Sequence, residues 1–274
     1  MRKKSYFLVS WSIGVFIFLY VPILYMIAFS FNGGRLVSVW GGFSFRWYVE
    51  IFNDTAFLSA AWLSLKIATI SASLALVIGT AAALAISRYG KFTGRMLLTG
   101  MVLSPLILPD VILGLSLLLL FVSLENLIGW PPERGFVTIV IAHTTFCVAY
   151  VTGVMQSQLL FLNPSIEEAA MDLGARPARV FWDIVLPSVT PALLSAWLLS
   201  FTLSLDDVVI ASFVTGPNAT TLPIFIFSKI RFGLSPMINV LATFIVIFVS
   251  ILVIAISYYT FRNEKKKLLS ESGS

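Results

Sequence analysis

Charge is what this chain has least of. Asp, Glu, Lys and Arg make up 11% of its 274 residues, where a soluble domain of this size carries about a quarter. No long polar stretch is present that could fold on its own beside the rest. The single cysteine, Cys147, excludes an internal disulfide and argues against a cysteine-based metal site. The single histidine, His143, removes H-E-x-x-H and multi-histidine metal sites. It is expected as a packed or hydrogen-bonded residue of the fourth span. No G-x-x-x-x-G-K-[ST] occurs, so the chain has no P-loop for ATP and must borrow energy from elsewhere. What fills the space is apolar. Hydrophobic residues account for 58% and the mean hydropathy is +0.96. A single all-α membrane domain covering residues 1–274 follows.

Six candidate spans run at about 6–31, 58–87, 96–123, 136–160, 190–214 and 239–261. Each is long enough to cross ~30 Å of hydrocarbon at ~1.5 Å per residue. The first is too long for a signal peptide and lacks a convincing small-residue cleavage site, so it reads as a retained span. The net charge of +5 is no sign of nucleic acid, because the basic residues gather at span ends. Arg2, Lys3, Lys4, Arg88, Lys91, Arg95, Arg176, Arg179, Arg262, Lys265, Lys266 and Lys267 flank one side. The other side receives Arg35, Arg46, Arg134, Lys229 and Arg231, with Lys66 in the outer part of the second span. The positive-inside rule therefore puts both termini and the loop at about 161–189 on the cytoplasmic side of the membrane. On the outer side, Trp40, Trp47, Tyr48, Trp62 and Trp130 suit an interfacial aromatic belt; as a set they would also suit a surface for an incoming protein.

The cytoplasmic loop holds the most informative pattern. Glu168-Ala169-Ala170 is followed after three residues by Gly174, then after nine more by Ile184, Leu186 and Pro187. Ile166, Ala169, Ala170 and Leu173 fall on one face of a short helix. Asn163 is placed to cap it, with Pro164 in the first position and Glu167 and Glu168 in the first turn. Gly174 is placed to close it in a left-handed conformation, and Pro177 to open a second helix. Such a knob with small apolar side chains suits a groove on another protein.

Three carboxylates stand where a membrane disfavours them. Asp110 follows two prolines in Pro105-Leu106-Ile107-Leu108-Pro109, inside the expected third span. Asp206 and Asp207 lie inside the expected fifth. Asp110 and Asp206 fall at similar depth, ~20–25 Å along their helices from the cytoplasmic ends. An ionised carboxylate facing lipid costs at least ~2.5–3.5 kcal/mol, so these groups should face a polar interior. A shared site for an amine cation would use them, and it would repel phosphate, sulfate or molybdate. The alternatives are pairing with Lys66 or capping a kinked helix. Adjacent Asp206 and Asp207 point about 100° apart on a helix, so one is expected to meet cargo and the other to be satisfied by Ser204 or a neighbouring span.

The cytoplasmic pattern resembles the EAA loop of membrane permeases of ABC importers. The runs Trp47-Tyr48, Leu108-Pro109-Asp110-Val111-Ile112, Ser165 to Ala175 and Thr202-Leu203-Ser204-Leu205-Asp206-Asp207 resemble those of polyamine importer permeases. The stretches Ser212 to Pro217 and Thr220 to Pro223 are similar to the putrescine-type second subunit. The resemblance implies a type I ABC importer permease fold with six transmembrane helices and a cytoplasmic EAA coupling helix. It implies a homologous second permease, two ATPase subunits carrying ATP and Mg, and a periplasmic polyamine-binding protein as partners, in a lipid bilayer. The chain itself is then a transport subunit without a cofactor of its own. ATPase coupling is expected at Glu168, Ala169, Ala170, Asp172, Leu173, Gly174, Leu186 and Pro187. The polyamine route is expected at Asp110, Ser204, Asp206, Asp207 and Trp47. Rival readings are a permease for another small cationic or organic solute, an intramembrane aspartyl enzyme using two of the carboxylates, and a passive cation channel. The last two leave the docking helix without a purpose.

Overall fold

A computed structural model describes residues 6–232 and 236–271. Every named element among them is helical: α1 Tyr6–Phe29, α2 Arg46–Asn53, α3 Thr55–Arg88, α4 Arg95–Leu103, α5 Asp110–Ile128, α6 Phe136–Phe161, α7 Pro164–Asp172, α8 Pro177–Val180, α9 Leu186–Asp206, α10 Val209–Val214, α11 Leu222–Phe232 and α12 Met237–Glu271. Six helical stretches are long and apolar enough to cross a bilayer: Val9–Phe29, Thr55–Arg88, Asp110–Ile128, Phe136–Phe161, Pro177–Asp206 and Met237–Ala255. The chain divides into two compact units, Met1–Ser59 with Phe225–Leu252 and Ala60–Ile224 with Val253–Ser274.

In the larger unit α6 is the central helix. Ile139, Ala142, Cys147, Val151 and Met155 along it are fully buried. In lipid, apolar side chains gain little by leaving one another for the bilayer, so helices associate through close approach and interhelical hydrogen bonds. The buried face of α3 follows that rule with Ala68, Ala72, Ala75, Gly79 and Ala83 at helical spacing. A Cβ on Gly79 would lie 2.7 Å from the Val151 Cβ. The contact is fastened by Ser71 Oγ donating to the Val140 carbonyl at 3.2 Å and Thr152 Oγ1 to the Gly79 carbonyl at 3.3 Å. At Gly114 of α5 a Cβ would meet the Phe213 ring of α10 at 2.6 Å, so this position too must stay bare.

Two expected spans are corrected. The stretch expected as one span at 96–123 is broken: α4 runs into a 3-10 turn at Ser104–Leu106, and the membrane-length helix starts at Asp110. Pro109 disfavours helical geometry at Leu108 before it, and its own carbonyl then accepts the amides of Ile112 and Leu113 at 2.9 and 3.1 Å. The stretch expected at 190–214 starts earlier, at Pro177, and stops at Asp206. Its lower part is a π-helical turn at Phe181–Val185 just ahead of Pro187. Proline has no N–H and its ring crowds the carbonyl four residues back; a widened turn absorbs both problems. Its upper end stops because Asp207 is extended, φ −67° and ψ 124°, and caps α10 instead. The last span continues as helix to Glu271, past the expected end at 261.

In the smaller unit, fully buried Asn32 organises residues 33–44. Its Nδ2 donates to the carbonyls of Leu36 and Val39 at 3.1 and 2.7 Å, and its Oδ1 accepts from the amides of Gly34 and Gly41 at 3.0 and 2.7 Å. Phe31, Phe43, Phe45 and Tyr48 pack around the same turn.

Candidate functional site: a carboxylate cavity and an exposed helical knob

The two breaks in the larger unit bring the three expected carboxylates to one cavity. It holds about 320 Å³ and is lined by Asp110 and Pro105 from the first break, by Asp206, Asp207 and Val208 from the second, and by Phe146 and Tyr150 of α6. No Lys or Arg lines it. The carboxylates therefore sit at helix ends rather than within continuous helices, which is how backbone irregularity is tolerated at membrane depth when it lines a cavity.

Asp206 and Asp207 have different fates. Asp207 Oδ2 accepts from His143 Nε2 at 3.1 Å and from the Ala211 amide at 2.7 Å, and Oδ1 from the Ile210 amide at 3.2 Å. Its charge is spent on three donors within the fold. Asp206 and Asp110 are exposed to the cavity, and among the described residues neither forms an ion pair with Lys or Arg. Lys66, the other expected partner, lies over the Trp62 ring at 5.1 Å. Ser204 is buried and does not reach Asp207; its hydroxyl meets His143 Nδ1 at 2.6 Å. The neighbouring span thus satisfies Asp207, through a histidine that the sequence marked as hydrogen-bonded but not as part of the site.

Trp47 is corrected. It lies in the smaller unit, is 7% exposed, and donates its indole N–H to the Asn32 carbonyl at 2.9 Å. That bond completes the Asn32 turn and gives Trp47 a local structural task.

The Glu168-Ala169-Ala170 pattern folds as a short helix closed at both ends. Asn163 Oδ1 accepts the Ser165 amide at 3.1 Å, and Pro164 takes the first helical position. Gly174 has φ +88°, and the amides of Gly174 and Ala175 return to the carbonyls of Met171 and Ala170 at 2.9 and 3.0 Å. These are the bonds of a left-handed glycine cap. Glu167 alone occupies the first turn, with Glu168 just beyond it, contrary to the expected pair. Ile166, Ala169 and Leu173 are exposed, Leu173 to 90%, and so are Glu168, Asp172 and Pro187. Ala170 and Leu186 are half-buried. No local pattern announces what holds the knob. Arg88, the last residue of α3, places Nη2 2.8 Å from Glu167 Oε1 and 3.2 Å from the Leu162 carbonyl. Beside this pair a cleft of about 660 Å³ is lined by Arg88, Glu167, Glu168, Met171, Phe181 and Trp182, among others.

Known proteins share both the sequence and the fold. The putrescine transport system permease protein PotI of Escherichia coli K12 is 53% identical over 253 residues, 92% of this chain and 90% of that protein. The spermidine/putrescine transport system permease protein PotC of Haemophilus influenzae is 39% identical over 249 residues, covering 91% and 94%. Among solved structures, a bacterial ABC transporter involved in import of the acidic polysaccharide alginate matches with a TM-score of 0.73 at 16% identity, over 94% of each chain. The methionine ABC transporter MetNI matches with a TM-score of 0.63 at 17% identity, over 75% of this chain and 95% of that one. The all-α architecture with six apolar spans is that of ABC importer permeases. Residues 75–266 match the family described as binding-protein-dependent transport system inner membrane component, and the chain belongs to that family of multi-pass membrane proteins.

Proposed function

We propose that this chain is the permease subunit of an ATP-driven putrescine importer and forms half of its translocation pathway. One observation carries the reading: Asp110, Asp206 and Asp207 converge on one cavity, and among the described residues no Lys or Arg pairs with any of them. A diamine supplies the missing positive charge. The aromatic faces of Phe146 and Tyr150 suit an ammonium group or its methylene chain. The relatives named for putrescine and for spermidine/putrescine transport support the same cargo class. The partners are a homologous second permease, two ATPase subunits that hold ATP and Mg, and a periplasmic polyamine-binding protein.

Transport proceeds by alternating access. The exposed face of α7, with Glu168, Ala169, Asp172 and Leu173, seats on an ATPase subunit. ATPase closure moves this knob, and Leu186 and Pro187 carry the movement into the long helix that ends at Asp206. Both termini and α7 are then cytoplasmic, as the basic residues at the span ends require. ATP hydrolysis belongs to the partner subunits, and this chain does no bond chemistry. An aspartyl enzyme is disfavoured because it leaves the exposed face of α7 without a purpose.

Radiolabelled uptake by the full complex tests the reading, with putrescine, spermidine and a neutral amino acid in competition. Saturable putrescine uptake that resists the amino acid is expected. Uptake displaced by the amino acid and not by spermidine would assign the chain to another solute.

A further inference from the structure

The mechanism above uses the carboxylates and leaves a buried polar cluster behind them unexplained. His143 is 1% exposed in the middle of α6 and spends both ring nitrogens on groups from the other side of the cavity. A carboxylate only accepts, so Nε2 carries the proton toward Asp207; in the neutral ring Nδ1 then accepts the Ser204 hydroxyl. Ser204 lies in the last turn of α9, and Asp207 is the residue at which α9 stops. One imidazole therefore grips both sides of the helix break. On the same face of α6, Phe146 and Tyr150 follow at i+3 and i+7 and line the cavity. The Phe146 ring stands edge-on to the imidazole, with centroids 5.5 Å apart, and limits its freedom to turn.

The consequence falls on Asp206. Two adjacent acids at a helix end could exchange roles, one capping α10 and the other facing the cavity. With His143 holding Asp207 on the capping amides of Ile210 and Ala211, the exchange is blocked and Asp206 is the residue left to cargo. We propose that His143 is a positioning residue for polyamine passage: by bridging Ser204 and Asp207 it fixes the α9–α10 break and presents Asp206, with Asp110, as the unpartnered carboxylates of the cavity. This rests on the cargo reading of the cavity. His143 itself touches no cargo.

The test compares two amides in the fully assembled importer. A glutamine at 143 places its side-chain N–H near the Nε2 position and keeps the bond to Asp207. An asparagine is one carbon shorter, reaches Ser204 at best, and loses Asp207. H143Q is expected to hold the KM for putrescine uptake within about twofold, whereas H143N raises it about tenfold, the scale of one hydrogen bond to a charged group. H143N combined with D207A should be no worse than the poorer single variant, because each breaks the bond between positions 143 and 207. Equal behaviour of H143Q and H143N overturns the proposal, as does an uptake loss that merely follows the amount of assembled complex. If H143N fails to assemble, D207S takes its place: the serine hydroxyl can still cap α10 but is too short to reach Nε2, and an unchanged KM in D207S then overturns the proposal. D206N separates the two levels of argument. A raised KM in D206N with none in H143N sinks the positioning role alone, and no change in either sinks the cargo reading as well.

Discussion

The elbow that ties the α7 knob to the spans rests on one guanidinium. Arg88 ends α3, Leu162 follows the last residue of α6, and Glu167 sits in the first turn of α7. The two side chains of the ion pair are 19% and 17% exposed, with 2.8 Å between nitrogen and oxygen. Fully exposed pairs contribute ~0–1 kcal/mol, while breaking a buried pair costs ~3–5 kcal/mol. At this intermediate burial Glu167→Gln, which removes the charge of the pair, should cost about 1–3 kcal/mol, between those two ranges. Spent on the elbow alone, that shifts its loosened population about 5- to 150-fold. A loosened elbow lets the ATPase move α7 without moving the spans. The assay is ATP hydrolysed per putrescine imported, measured in reconstituted complex stimulated by loaded binding protein. Arg88→Gln and Glu167→Gln should each raise that ratio severalfold while the ATPase stays bound, and the double variant should be no worse than the poorer single one. Additive losses, or an unchanged ratio in both single variants, would show that the pair is a surface contact and carries no motion.

Three further perturbations follow from the same geometry. Asp110→Asn and Asp206→Asn keep shape and remove charge; at least one should raise the KM for putrescine about 5- to 150-fold, the equivalent of ~1–3 kcal/mol, in complexes that keep their ATPase subunits, and unchanged concentration series in both would make these carboxylates structural. Gly174→Val forces a β-branched residue to φ +88°, at a cost of at least ~1–2 kcal/mol, so uptake and ATPase stimulation should be lost with membrane insertion intact; normal transport would remove the cap from the mechanism. Gly79→Ala sets a methyl 2.7 Å from the Val151 Cβ; overpacking of this kind costs ~1–3 kcal/mol and should lower the thermal midpoint of the purified complex, and an unchanged midpoint would mean the α3–α6 contact adjusts freely.

Span number and the ends of α7 were legible because both rest on strong local signals. Long apolar runs mark spans, and Asn163-Pro164 with Gly174 marks a short helix by capping chemistry alone. Span limits were less legible. Hydropathy continues across Pro105 to Pro109 and across Asp207-Val208, so it reads a broken helix as one span. The prolines announced the first break. The second depends on Asp207 choosing the amides of Ile210 and Ala211, a choice made in three dimensions. Trp47 has a contact outside such signals: its indole N–H closes on the carbonyl of Asn32, fifteen positions earlier, and nothing in the spacing announced that partner.

The carboxylate site divides the same way. Residue type and depth marked Asp110, Asp206 and Asp207 as unusual, and helical geometry required Asp206 and Asp207 to point apart. Which of the two stays open to the cavity depends on His143, and its partners lie 61 and 64 residues away in sequence. A lone histidine in an apolar span carries no local pattern that names such partners. Its placement also limits how strongly the site holds a cation. Three open carboxylates would bind a diamine deeply, and a cation that cannot leave is not transported. With Asp207 tied to the imidazole and two amides, the cavity keeps two open carboxylates for a cargo with two charges.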